Sequence, residues 1–394
     1  LPGRVGAGCR ALVLDHHRQS LEDAHRVPPI GETSMSPPAL LSPEPAPALE
    51  SARGYSAEFG EALANHAAMV LWAQRRLGGT EAAAQRFLQA YLATNPLRPL
   101  PPPDAAIDPD HWTARLGDRQ AEAAYRAFFR GELDRLGTAE ALQDLYLPRL
   151  LPGIAASALH ALMRLAYARD SGNAAEVAES LGYWAATYLP LGEGIGAEPV
   201  TDQPAAVLLR VAADPTLRGL EFDDGLLWHA MRRTAAMPAF APVYNWLDVG
   251  RDTMRRMAND TLMVLAATTS PGMSDNAEFC ALHAVTGTHW LRLVLPALQP
   301  ADKSRAIRFF WQAIASIYPK MGCPLPLTPE QAGRQRRLPA PDWPGIAAAA
   351  IASNDEHDIS LVYSARAEEA VWGDALYRVV AARRVGLLPA IDAG

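Results

Sequence analysis

From Tyr55 onward, apolar side chains return at spacings of three and four, the mark of helices that bury one face. Phe59, Leu63, His66, Val70 and Leu77 share such a face, so Tyr55–Leu77 reads as an amphipathic helix stopped by Gly78 and Gly79. Thr80 is placed to cap a second helix running to about Thr94. Residues 95–110 are stiffened by prolines, which lack the amide hydrogen that a helix interior or a central strand needs. Helical periodicity resumes over 118–136 and 138–150. Ile154–Asp170 is apolar on nearly every side except at His160, Arg164 and its end, which predicts a core helix. Asn173 then caps a helix to Leu189 that carries the bulky pair Tyr183 and Trp184.

The second half continues in the same way. Asp223–Ala236 and Arg251–Thr268 are helical in pattern, separated by an aromatic stretch, 237–247, that two prolines interrupt. Pro271 and Gly272, with Ser274 and Asp275 as cap, open a long apolar helix that contains His283 and His289, and Pro296 to Pro300 closes it. Helices are predicted over Asp302–Tyr318 and Trp343–Ser353, with a proline-bearing loop (Pro324, Pro326, Pro339, Pro341) between them. A last pair runs from Asn354 through Glu369 and from Asp374 to Val385. No stretch alternates apolar and polar residues between hairpin turns, and no fixed-period repeat recurs. The expected fold class is all-α: one large multi-helix domain over 53–390, with buried histidines on facing helices.

Before that domain, Ser36–Ala52 is rich in proline and reads as an extended lead-in. Leu1–Ser34 lacks a compact apolar segment followed by a cleavage site, and Met35 is the first methionine. The expectation is a disordered or non-native extension over 1–52, with the functional chain starting near Met35 and His16, His17 and His25 as bystanders.

Composition narrows the function classes. With 394 residues and 49% hydrophobic side chains there is ample material for a core. A net charge of -7 argues against a nucleic-acid partner, which a basic face would recognise. No apolar run reaches the roughly 18 residues a membrane span needs, so no membrane partner is expected and the location is read as cytoplasmic. Cys9, Cys280 and Cys323 lie far apart, which indicates neither a disulfide framework nor a cysteine zinc site. The glycines of 191–199 follow a helix instead of a strand, so this segment reads as a turn and not as a dinucleotide-binding loop.

The chemistry is left to histidines. His66, His160, His283, His289 and His357 sit on apolar helices far apart in sequence, which is how a helical bundle assembles a metal site from facing elements. Neutral imidazole suits iron, zinc or copper. A single core histidine is more often structural, and it is the number of them that shifts the balance. His283 and His289 are six residues apart, so on a regular helix they point about 120° away from each other. Either one faces the metal, or a bulge at Gly287 brings both to it. Beside His357, in Asp355-Glu356-His357-Asp358, a carboxylate is placed to orient the imidazole, and a solvated charged helix start accounts for the same residues equally well.

Several blocks together resemble the questin oxidase-like family: Asn65-His66-Ala-Ala-Met69, Leu150-Leu-Pro-Gly153 with His160 to Tyr167, Tyr183-Trp184-Ala-Ala-Thr-Tyr188, His283-Ala-Val-Thr-Gly-Thr-His289, and Asp355-Glu356-His357. The resemblance spans about Tyr55 to Gly386. It implies an oxygenase acting with dioxygen on a small aromatic substrate, an aromatic polyketide or a quinone. Such chemistry is described either as dioxygenation at mononuclear non-haem iron or as an NADPH-dependent Baeyer-Villiger-type oxidation. In the iron version four histidines and a carboxylated lysine hold the metal. The histidines carry over onto His66, His160, His283, His289 and His357, one more than four, with Fe(II) as the expected cofactor and NADPH as the alternative. The lysine does not carry over, because where relatives often read His-x-x-Lys this chain has His357-Asp-Ile-Ser360. Candidate catalytic residues are Glu356 and Arg164, and candidate pocket residues are Tyr183, Trp184 and Trp290. The remaining alternative is a non-catalytic helical protein that binds an aromatic metabolite.

Overall fold

In the computed structural model, residues 47–194, 198–223, 225–269 and 274–389 are described, and they are mostly helical. The elements that build the site are the strands β1 (Glu58–Phe59) and β2 (Leu63–Ala64) and nine helices. These are α1 (Ala67–Arg76), α2 (Glu122–Leu136), α3 (His160–Ser171), α4 (Ala174–Ala186), α5 (Thr253–Thr268), α6 (Asp275–Val294), α7 (Pro300–Ile317), α8 (Glu356–Trp372) and α9 (Leu376–Arg384). Their ends follow local chemistry. Asn173 and Ser274 each accept an amide hydrogen of the first turn of α4 and α6, and Asp355 accepts two at the start of α8. Gly172 and Gly373 end α3 and α8 in the left-handed conformation that glycine adopts without strain.

Helices α1, α3, α6 and α8 close a ring: α1 packs on α3, α3 on α6, α6 on α8, and α8 back on α1. Around it, α2 and α4 back α3 on one side, while α5, α7 and α9 back α6 and α8 on the other. Buried apolar side chains run through all of these layers as one continuous core, with Trp184, Trp290 and Trp311 among its largest members. No helix among the described residues is long and apolar enough to cross a membrane.

Four sequence expectations change. Tyr55–Leu77 is helical only over Ala67–Arg76. Ahead of it, Glu58 pairs with Ala64 and Phe59 with Leu63 in an antiparallel hairpin, and Gly60 and Ala62 take positive φ at its turn. The apolar spacing of Phe59 and Leu63 fits either state, and the turn decides between them. Ile154–Asp170 likewise begins its helix only at His160, after Ser157, Ala158 and Leu159 adopt φ of 46°, 55° and 73°. Residues 47–52, expected to be extended, belong to a short helix, Pro47–Arg53. The proline-bearing loop before Trp343 contains the helix Pro329–Arg336, where Pro329 occupies the first turn that tolerates it. A further helix, Pro204–Ala213, starts at a proline in the same way and lies in a stretch the sequence pattern left unassigned. The expected extension over 1–46, with His16, His17 and His25, and the pair Pro271 and Gly272 lie outside the described residues.

Candidate metal centre

Three histidines are fixed through the same ring atom. His66, immediately before α1, donates its Nδ1–H to the Ala64 carbonyl of β2 at 3.0 Å, and its backbone N–H to the Tyr91 hydroxyl at 3.0 Å. His160, the first residue of α3, donates Nδ1–H to the Ser157 carbonyl. His283, midway along α6, donates Nδ1–H to the Phe279 carbonyl one turn earlier, at 2.8 Å. A carbonyl only accepts, so in each ring the hydrogen sits on Nδ1 and Nε2 keeps a bare lone pair. His357, near the start of α8, has Nδ1 3.9 Å from Oδ1 of Asp355 and 3.9 Å from Oε1 of Glu356.

The ring of helices brings these four imidazoles together. Ring centroids lie 4.5 Å apart for His66 and His160, 5.2 Å for His66 and His357, 5.5 Å for His160 and His283, and 5.6 Å for His283 and His357. Burial, then the neighbouring His283, holds His66 down at about 4, and burial holds His283 at about 4. Burial, reinforced by repulsion from the other rings, keeps His160 and His357 well below the usual imidazole range. All four are therefore neutral near pH 7, the state that donates to a metal.

The closest approach is the informative one. Nε2 of His66 is 2.8 Å from Nε2 of His160, and with both hydrogens on Nδ1 two lone pairs face each other across that gap. Such a contact is repulsive unless a proton or a metal ion lies between the nitrogens, and burial, which lowers both imidazoles, disfavours the extra proton near pH 7. Two imidazole nitrogens about 2.1 Å from one metal and bound at right angles to each other sit about 3 Å apart, close to this spacing. The donor set therefore fits a divalent transition metal. The other two rings are further off. Among the described residues, the group of ligand atoms already within 4.8 Å of one another is Asp355, Glu356 and His357. A shell of four histidines therefore needs the four rings to stand closer together than they do here.

His289 is placed elsewhere. Helix α6 runs unbroken from Asp275 to Val294, so no bulge brings His289 round to the face of His283. Its Nδ1–H donates instead to Glu368 of α8 at 2.8 Å, and its ring lies 5.3 Å from that of Tyr363. Glu368 also accepts from Nε of Arg292 and from Nε1 of Trp372. Burial alone would raise the Glu368 carboxyl, but its bonds to His289 and Arg292 bring it down to about 2. Gly287, the expected bulge point, serves close packing: a Cβ there would meet Phe310 Cε2 at 3.0 Å and Leu159 Cδ1 at 3.2 Å.

The remaining candidates divide by distance from the cluster. Trp290 borders it, with its ring 6.4 Å from that of His160 and its Nε1–H donated to the Tyr167 hydroxyl. Glu356 lies at its rim, where burial pushes its carboxyl above the usual range. Arg164 is held in a buried ion pair, with Nε donating to Oε1 of Glu176 at 2.7 Å. Trp184 is fully buried and donates to the Gly153 carbonyl, while the Tyr183 hydroxyl is buried beside the Ser157 side chain. Ser360 lies one turn beyond His357, with its hydroxyl 3.4 Å from that of Tyr167. Phe279, which the sequence did not single out as a site residue, has its ring 4.7 Å from His283 and 5.0 Å from His357. At 37% exposed it marks the solvent side of the cluster. Its spacing of four from His283 on one helix was the available signal.

The sequence model of the questin oxidase-like family matches residues 63–365, which takes in His66, His160, His283 and His357. No curated protein matches the chain. The chain belongs to the questin oxidase-like family.

Proposed function

We propose that this member of the questin oxidase-like family is a metal-dependent oxygenase that acts on an aromatic polyketide or quinone-type substrate, with His66, His160, His283 and His357 as the residues that hold iron(II). Family membership supports an oxidoreductase role, and one observation carries the metal. The Nε2 atoms of His66 and His160 face each other at 2.8 Å with both ring hydrogens on Nδ1, an arrangement that a metal ion stabilises and that burial keeps an extra proton from satisfying near pH 7. When bound there, iron(II) would supply the one-electron chemistry that lets dioxygen react with a closed-shell aromatic ring.

The chain's own groups define the rest. Carbonyls of Ala64, Ser157 and Phe279 fix the tautomer of three imidazoles, so the lone pairs are aimed before any metal arrives. Phe279 at the solvent side and Trp290 at the buried side offer apolar faces to a planar substrate. Glu356, whose carboxyl burial raises, would exchange a phenolic proton at the rim. Arg164 has no part in this reading, because its guanidinium is engaged by Glu176.

Ser360 supports a second reading, a binding protein without turnover, because a serine stands where the resemblance implies a lysine ligand. Elemental analysis after purification without chelators tests the first reading: bound iron is expected, and His160→Ala should lose it. A preparation with no transition metal and undiminished oxygen uptake would remove the metal. Absence of oxygen uptake with a hydroxyanthraquinone in iron-loaded protein would favour the second reading. Uptake that requires NADPH and no metal would favour the NADPH-dependent alternative.

A further inference from the structure

The hairpin ahead of α1 and the left-handed turn ahead of α3 are joined by a bond that the metal reading leaves unexplained. Antiparallel pairing sets Glu58 of β1 opposite Ala64 of β2. At one side of the hairpin, the Ala64 carbonyl receives Nδ1–H of His66. At the other, Oε1 of Glu58 accepts the Ser157 hydroxyl at 2.6 Å, and the Ser157 carbonyl receives Nδ1–H of His160. One small hairpin is thus fastened to both imidazoles whose Nε2 atoms meet.

The Ser157 end of this linkage is strained. Ser157, Ala158 and Leu159 are consecutive non-glycine residues in the left-handed region, where each Cβ crowds the backbone. Such a run persists only where the surroundings overdetermine it. Leu159 packs close against α6, where a Cβ added at Gly287 would come within 3.2 Å of its Cδ1. Ser157 is pinned by Glu58, which is itself held by Nε of Arg119 at 2.7 Å. The Arg119 guanidinium in turn lies over the Trp228 ring, 4.2 Å from its centroid. A chain of fixed groups therefore runs from Trp228 through Arg119, Glu58 and Ser157 to His160.

We propose that Glu58 is a positioning residue of the metal centre: through the Ser157 hydroxyl it holds the left-handed turn, and so aims the His160 imidazole at His66. This rests on reading the histidine cluster as a metal site. An ion pair between Glu58 and Arg119 that served stability alone would not need the hydroxyl bond to Ser157.

The test uses the full chain and three variants, Glu58→Ala, Glu58→Gln and Ser157→Ala. Co(II) affinity is measured by competition with a chelator, and the His160 tautomer is read by 15N-histidine NMR on the metal-free protein. Glu58→Ala should weaken Co(II) binding about tenfold, the lower end of what partners of metal ligands contribute, because it acts through one further residue. It should also turn the single Nδ1–H tautomer of His160 into a mixture. Glu58→Gln keeps an acceptor oxygen for Ser157 and should restore most of the affinity. Ser157→Ala should match Glu58→Ala, and the two should not add. A Glu58→Ala protein with a lower melting point but unchanged Co(II) affinity and His160 tautomer would overturn the proposal. If the wild type binds no Co(II), the metal reading fails, and the tautomer spectra alone then support or overturn the positioning role. If Glu58→Ala does not fold, Ser157→Ala carries both readouts.

Discussion

Replacing His289 with alanine should cost stability and leave metal binding intact, whereas the same change at His283 should abolish most metal binding. The His289 imidazole is fully buried and donates to a carboxylate, Glu368, at 2.8 Å. Loss of a hydrogen bond to a charged group costs about 1.5–3 kcal/mol. The cavity left against Tyr363 adds to this, in the range of about 2 kcal/mol or more for a large buried side chain. Glu368 keeps Arg292 and Trp372 as partners, so its charge is not stranded, and the polar ring no longer has to be buried. The net expectation is about 3 kcal/mol, a large part of the roughly 5–15 kcal/mol that holds a domain together. Urea unfolding of the metal-free proteins measures the stability, and iron or cobalt stoichiometry on the folded variants measures the binding. A His289→Ala protein that unfolds within about 0.5 kcal/mol of the parent but loses its metal would refute the assignment of His289 to a structural pair.

Two further outcomes follow from packing and charge. Gly287→Ala gains up to about 1 kcal/mol of helix propensity, but its Cβ would press on Phe310 and Leu159 at 3.0 and 3.2 Å, a strain of about 1–3 kcal/mol. A net loss in thermal unfolding is expected, together with weaker metal binding because Leu159 precedes His160, and a stabilised variant would contradict this. Asp260, buried on α5, accepts the Ala205 N–H at the start of Pro204–Ala213, and burial pushes its carboxyl from 3.8 up to about 7. Between those values the native state holds a proton that the unfolded state has released, so this group's contribution to stability falls as pH rises through the window. Asp260→Asn should therefore flatten the urea midpoint between about pH 4 and about pH 7, and an unchanged slope would show that another group sets it.

The helices that periodicity located are those with a sustained apolar face and a local cap, such as α4 behind Asn173 and α6 behind Ser274. Six residues of helix also turn His283 and His289 about 120° apart, so the straight, unbroken α6 cannot aim both at one atom. Two elements beside the site depart from the helix their spacing predicts, the hairpin at Glu58–Ala64 and the left-handed turn at Ser157–Leu159. In both, the apolar spacing is compatible with a helix, and contacts remote in sequence override it. The hairpin is joined to Ser157 across 99 positions, and Leu159 is held beneath Gly287 of α6.

By itself, the sequence determined that the chain is mostly helical, that five histidines fall on or beside apolar helices, and that His283 and His289 diverge, because these follow from side-chain spacing along one element. Only the tertiary structure decided which four imidazoles meet, that His289 turns away to Glu368, and which carbonyls fix the ring tautomers. Those outcomes depend on how α1, α3, α6 and α8 close into a ring and on two short irregular segments beside it. Periodicity within one element carries no information about the register between elements, and that register is what sets the 2.8 Å approach of His66 and His160.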